Sequence, residues 1–90
     1  MSFKIQYSRQ AREDIRSIYR YIAETLLVPE IASGQTSRIM RSVRTLEDMP
    51  SRHKLYEDEP WHSQGVRYFP VDNYLIFYLI EENETVSIYL

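Results

Sequence analysis

Apolar and polar residues alternate from Phe3 to Tyr7, with Phe3, Ile5 and Tyr7 set against Lys4 and Gln6. This is the period-two pattern of a strand with one buried face. Ser8 follows, placed to cap the first free N–H groups of a helix. Beyond it, Ala11, Ile15, Ile18, Ile22 and Leu26 recur at spacings of four, three, four and four, while Arg9, Arg12, Glu13, Arg16, Arg20 and Glu24 fall mostly outside that stripe. The spacing predicts an amphipathic helix with one core-facing side. Val28-Pro29 ends it, because proline disfavours helical geometry at the preceding residue and suits the first position of a new helix. Ala32, Thr36, Ile39, Val43 and Leu46 form the second stripe, predicted to stop near Met49-Pro50. Gly34 weakens its first half by about 1 kcal/mol relative to alanine, so packing must hold that part. The short connection makes the two helices an antiparallel hairpin.

From Ser51 to Gly65 no period is sustained, and this stretch reads as an ordered loop. Val66 to Val71 is a strand candidate in which Pro70 cannot donate to a ladder, which suits an edge or a bulge. Asp72-Asn73 supplies a two-residue hairpin turn, both residues tolerating left-handed backbone geometry. Tyr74 to Ile80 is apolar or aromatic at every position, the pattern of a central strand covered on both faces. Glu81 to Glu84 is a polar turn, and Thr85 to Leu90 alternates again. Val86, Ile88 and Leu90 are expected under the helices. Tyr89 is expected on the other face, beside either Tyr74, Ile76, Tyr78 and Ile80 or Leu75, Phe77 and Leu79, more apolar surface than a solvated sheet carries. A partner segment or a second copy of the chain is expected to cover it.

The order β-α-α-β-β-β gives an α+β fold: an antiparallel sheet with a two-helix hairpin on one face, the first strand entering at an edge or beside the last. Ninety residues suffice for one domain, 1–90, and exclude a multidomain enzyme. A core of this size is marginal, and with no cysteine to staple it a stabilising partner is expected. The absence of cysteine also removes thiolate nucleophiles and thiolate metal ligands. The N-terminus lacks the pattern of a secretory signal, and the longest apolar run is far shorter than the ~20 residues of a membrane helix. A cytoplasmic protein without membrane contact is the expectation. A net charge of −2 and a pI near 5.6 argue against the broad basic surface of a nucleic-acid binder.

Chemistry-bearing residues are few. Histidine as a residue type titrates near neutrality, which makes His53 and His62 candidates for proton transfer, but both sit in a polar segment without an evident nucleophile, and their spacing matches no zinc motif. No metal and no cofactor are expected. Glu57-Asp58-Glu59 reads as a solvated acidic run. Arg67 opens a strand two residues after Gly65 and can form an ion pair or meet a phosphate or partner carboxylate. Tyr7, Tyr19, Tyr74 and Tyr78 fall on core-compatible positions, whereas Tyr68 and Tyr89 suit an exposed face. Arg9, Arg12, Arg16 and Arg20 line one side of the first helix as a solvated stripe, or as a surface for an acidic partner segment.

The same element order, with Tyr7-Ser8-x-x-Ala11-x-x-Asp14-Ile15-x-x-Ile18-Tyr19-x-Tyr21-Ile22, Pro29-Glu30, Pro50, Gly65-x-Arg67 and Val71-Asp72-Asn73-Tyr74-Leu75-Ile76-Phe77-Tyr78, resembles the RelE/ParE family of bacterial type II toxins over nearly the whole chain. The resemblance implies a growth-arresting toxin, of the kind associated with plasmid stabilization, encoded beside an antitoxin that wraps it. One branch of the family cuts mRNA on the ribosome; the ParE-like branch poisons DNA gyrase. Cutting RNA with its own 2′-hydroxyl needs proton-transfer groups and cations at the phosphate. The ribonuclease branch places lysines on the second strand and an arginine on the third. Here the second strand offers only Arg67, and Leu75 stands where that arginine would be. Family members usually continue past the final strand with a basic segment, whereas this sequence stops at Leu90, which is either a naturally short end or a truncation.

The favoured reading is therefore a ParE-like toxin acting by protein–protein contact, with Arg12, Arg16, Arg67, Tyr68 and Tyr89 as partner-binding candidates. The alternatives are an mRNA interferase, with catalytic candidates Arg67, His53, His62 and Tyr89, and a shortened, non-toxic member that keeps only antitoxin binding. A homodimer is open in each case. An antitoxin is expected to lay an amphipathic segment along the helices or add a strand to the sheet.

Overall fold

The computed structural model describes residues 2–89. Strand β1 (Lys4–Tyr7) leads through Ser8 into helix α1 (Arg9–Arg20), whose first turn is capped by the Ser8 hydroxyl accepting from the Ala11 N–H at 3.0 Å. The predicted stripe holds as far as Ile22: Ala11 and Ile22 are buried, and Ile15 and Ile18 pack partly against the core. Leu26 departs from it and is 52 % exposed. The cause is a π-helical turn over Tyr21–Thr25, in which the Leu26 N–H reaches back to the Tyr21 carbonyl. The wider turn rotates the following residues off the stripe. Leu27 then takes positive φ, and α2 (Pro29–Arg44) begins with Pro29 in its first turn.

Helix α2 buries Ala32, Gln35, Ile39 and Val43, and a 3₁₀ turn over Thr45–Glu47 continues it to bury Leu46. The seam thus includes Gln35 where Thr36 was expected; Thr36 is half-buried and its hydroxyl donates to the Ala32 carbonyl. Gln35 is tolerated because its Nε2 donates to the Asp72 carboxylate at 2.9 Å, and no buried side-chain polar atom among the described residues is left without a partner.

Strands β2 (Arg67–Val71), β3 (Tyr74–Glu81) and β4 (Thr85–Tyr89) form the expected meander, and the four-stranded sheet has the order β1-β4-β3-β2. The α+β architecture is as expected, with one correction: β1 runs parallel to β4, so the sheet is mixed and not wholly antiparallel. After the helical hairpin the chain passes the start of β1, where the Phe3 N–H donates to the Glu47 carbonyl at 2.9 Å, and continues to the far end of that strand before entering the sheet. β2 begins there, Arg67 standing in line with Tyr78, Ile88 and Tyr7, and runs in the sense of β1; β3 reverses, and the second reversal makes β4 parallel to β1. Pro70 lies on β2, an edge strand, where its missing donor breaks no ladder.

The core lies between the helices and one face of the sheet. Ile39, Val43, Leu46, Ile76, Tyr78, Val86 and Ile88 are fully buried, each apolar side chain of this size contributing about 1.5–3 kcal/mol by leaving water. Leu90 lies outside the described residues. Tyr7 and Tyr74 pack against the core and Tyr78 lies within it, but Tyr19 is 40 % exposed, contrary to expectation.

The stretch from Ser51 to Gly65, expected to be a loop, is more structured than that. A 3₁₀ turn (Pro50–Arg52) opens on Met49 at positive φ, and Leu55 bridges to Arg67 beside β2. A short helix, α3 (Trp61–Gln64), ends at Gly65 with φ 85°. The connection is tied down where the Tyr78 hydroxyl, inside the core, donates to the Pro50 carbonyl at 2.5 Å. At the β2–β3 turn Asp72 takes φ 56°, and its carboxylate meets Arg38 Nε at 2.8 Å, the single ion pair among the described residues.

Two predictions follow from these ties. Replacing Tyr78 with phenylalanine keeps the ring but strands the Pro50 carbonyl, and should lower the unfolding free energy by about 1–3 kcal/mol in a denaturant titration. Asp72 is held below its ordinary range by its bonds to Arg38 and then Gln35. A depressed folded-state pKa stabilises above the ordinary aspartate range, and that contribution is lost as pH falls through the folded value. Asp72→Asn, which keeps a residue tolerant of positive φ, should therefore lower the melting temperature at neutral pH and be indistinguishable from the parent in strong acid.

Candidate functional site

Because β3 is apolar or aromatic from Tyr74 to Ile80 and strand side chains alternate, the residues that do not enter the core emerge on the opposite face. The register settles which residues these are: Phe77 stands opposite Tyr89 on one side and Tyr68 on the other, and Leu79 opposite Ser87. The set Leu75, Phe77 and Leu79 therefore shares the helix-free face with Tyr68 and Tyr89. Both-sided burial of β3 is only partly realised, since Leu75 is 46 % exposed and Phe77 and Leu79 are half-buried.

The connection before β2 folds back over this face. Tyr56 is pinned by its N–H donating to the Val66 carbonyl at 2.8 Å, and α3 brings Trp61 alongside. Tyr56, Trp61, Val66, Phe77, Leu79 and Tyr89 wall a groove of about 530 Å³. The Tyr56 ring meets Trp61, Tyr68 and Phe77 edge-on, with centroids 6.0, 5.2 and 5.4 Å away. Such geometry aligns ring edges with ring faces and is favourable for aromatic clusters. Carboxylates flank it: Glu57 accepts from the Tyr68 hydroxyl at 3.3 Å, and Glu81 from the Ser87 hydroxyl. The Lys54 ammonium lies 5.4 Å from the Tyr68 ring centroid and is held above its ordinary value by hydrogen bonding to Tyr68, with Glu57 adding to the effect.

The four catalytic candidates do not converge. Arg67 Nη1 donates to the Ser51 carbonyl at 3.1 Å and the His53 carbonyl at 2.6 Å, so its guanidinium holds the connection and forms no ion pair among the described residues. His53 stacks on Phe69 with centroids 4.4 Å apart, and burial, with Arg52 beside it, keeps its imidazole below the usual histidine range. His62 stands on α3 with Nδ1 2.9 Å from the Tyr56 carbonyl, and Tyr89 belongs to the groove. Arg67 thus meets His53 only through the backbone, and His62 and Tyr89 lie on the helix-free side. Among the described residues no group of His, Asp and Glu is arranged to hold a metal ion, and no helix is long and apolar enough to cross a membrane.

On α1, Arg9, Arg12 and Arg16 surround a shallow polar hollow with Glu13, and Arg12 Nη2 donates to the Tyr7 carbonyl at 3.3 Å. Tyr21, Leu26, Leu27 and Ile31 form a separate exposed apolar patch at the tip of the helical hairpin. Sequence reading missed Tyr56, Trp61 and Val66 as groove residues. Their signal was a tyrosine and the single tryptophan in an otherwise polar stretch, but their convergence depends on how that stretch folds back.

The family model described as "ParE toxin of type II toxin-antitoxin system, parDE" matches residues 5–90. The chain belongs to the ParE toxin family. Its fold is also that of a solved structure, the chromosomal ParDE toxin–antitoxin system from P. aeruginosa: TM-score 0.76 at 20 % identity, over 97 % of this chain and 90 % of that one. No match was found among curated proteins. In this ParE-family chain Arg67→Ala should lower stability by roughly 1–3 kcal/mol, since bonds from a charged donor are lost. Hydrogen exchange should rise first in the Ser51–Lys54 backbone, and a lysine at the same position should restore only part of the protection.

Proposed function

We propose that this ParE-family toxin arrests bacterial growth by binding a protein target in the cytoplasm, DNA gyrase, and that a cognate antitoxin neutralises it by covering its surface. The observation that carries this reading is the character of the helix-free face. It presents Tyr56, Trp61, Phe77 and Tyr89 with carboxylates at the margin, a surface suited to protein contact. RNA cleavage asks instead for cations poised at a phosphate. The Arg67 guanidinium is engaged by backbone carbonyls, and Lys54 lies over Tyr68. Arg12 and Arg16 on exposed α1 suit acidic side chains of an antitoxin segment, and Tyr68 and Tyr89 suit its apolar ones.

Purified chain added to gyrase should abolish supercoiling and trap cleaved DNA, and its induction without antitoxin should stop growth. Intact supercoiling with no trapped cleavage at stoichiometric excess would overturn the gyrase assignment. Codon-positioned cuts in translated mRNA, read by primer extension and absent in a stable Arg67 variant, would replace it with an endoribonuclease.

A further inference from the structure

The groove on the helix-free face is apolar in its walls and acidic in its surroundings, and the combination specifies a kind of ligand. Tyr56 lies nearly perpendicular to both Trp61 (82°) and Phe77 (73°), so the rings offer π surfaces in more than one direction. Perpendicular aromatic walls attract a cation through the negative faces of the rings. Val66 and Leu79 complete the lining with aliphatic surface suited to the methylene stem of a long basic side chain. The segments that frame the groove, 54–66 and 79–87, carry Glu57, Asp58, Glu59, Glu81, Glu82 and Glu84 against one lysine or arginine, Lys54. That lysine already lies over an aromatic ring of this face, Tyr68, beside the Glu57 carboxylate.

We propose that the groove docks a basic peptide segment of a protein partner, seating one arginine or lysine side chain among Tyr56, Trp61, Phe77 and Tyr89 with its charge toward Glu57 and Glu81. A purely apolar segment would fill the walls but gain nothing from the acidic margin, and a nucleic acid would meet like charge around the groove. The inference rests on the protein-contact reading above and names the chemistry of the contact, but it does not require that the partner be gyrase.

Trp61 is the chain's single tryptophan and lines the groove, so its fluorescence reports occupancy directly. The full chain would be titrated with a Gly/Ser peptide carrying one arginine flanked by leucines, with the same peptide bearing glutamine at that position, and with a single-stranded oligonucleotide. The arginine peptide should bind about tenfold more tightly than the glutamine peptide, with affinity falling as salt is raised. Tyr89→Ala, at a half-exposed position, should weaken the arginine peptide about tenfold. Glu57→Gln should remove part of its salt dependence and leave the glutamine peptide unaffected; circular dichroism would show both variants folded. Equal binding of the two peptides would make the groove an apolar anchor site and overturn the proposal. So would preference for the oligonucleotide, no change in Trp61 fluorescence with any probe, or a signal that depends only on self-association of the chain. Because no readout involves gyrase, failure here and failure of the gyrase assignment are separable.

Discussion

A strand sends successive side chains to opposite faces, and a pair of helices covers only one face of a sheet. In this protein the strand at issue, β3, is apolar at nearly every position. Tyr74, Ile76, Tyr78 and Ile80 enter the core or pack against it, so Leu75, Phe77 and Leu79 must emerge where no helix covers them. The chain partly covers that surface with its own connection, folding Tyr56 and Trp61 back over Phe77 and Leu79. What remains open is the aromatic groove, which is thus a direct consequence of how the core is built.

The ties that stabilise the fold also shape this groove. The Tyr78 hydroxyl reaches the Pro50 carbonyl from inside the core, and Arg67 holds the Ser51 and His53 carbonyls from β2. Between them they anchor the start of the connection, and the Tyr56–Val66 backbone bond anchors its middle. Trp61 is then carried by a helix of a single turn, stopped by Gly65 in a conformation that favours glycine. The positions of the groove's rings therefore depend on a buried phenol and a guanidinium that lie outside it.

Charge is distributed unevenly over the two sides of the molecule. Arginines line the exposed side of α1, on the helical side of the sheet, while acidic residues gather around the groove on the other. A single partner engaging both must pass around an edge of the sheet and change its own charge along the way. A partner that wrapped this domain, as proposed for the antitoxin, would therefore meet surfaces of different chemistry on its two sides.

Much of this was written locally. The helix cap at Ser8, the Pro29 start of α2, the Asp72-Asn73 turn, the edge placement of Pro70 and the order of elements all follow from residue type and periodicity, because each depends on neighbours a few positions away. Likewise the apolar run of β3 announced a central strand and an excess of apolar surface. Other features were settled only by chain direction and long-range contact. The sense in which β2 enters the sheet, restored by the two reversals of the meander, made β4 parallel to β1, a π-helical turn took Leu26 off its stripe, and Gln35 became a core residue because Asp72, far along the chain, accepts its hydrogen bond. The groove belongs to this second group. Tyr56, Trp61, Phe77 and Tyr89 share no local period, and they meet because strand register and a folded-back connection bring distant backbone segments onto one face.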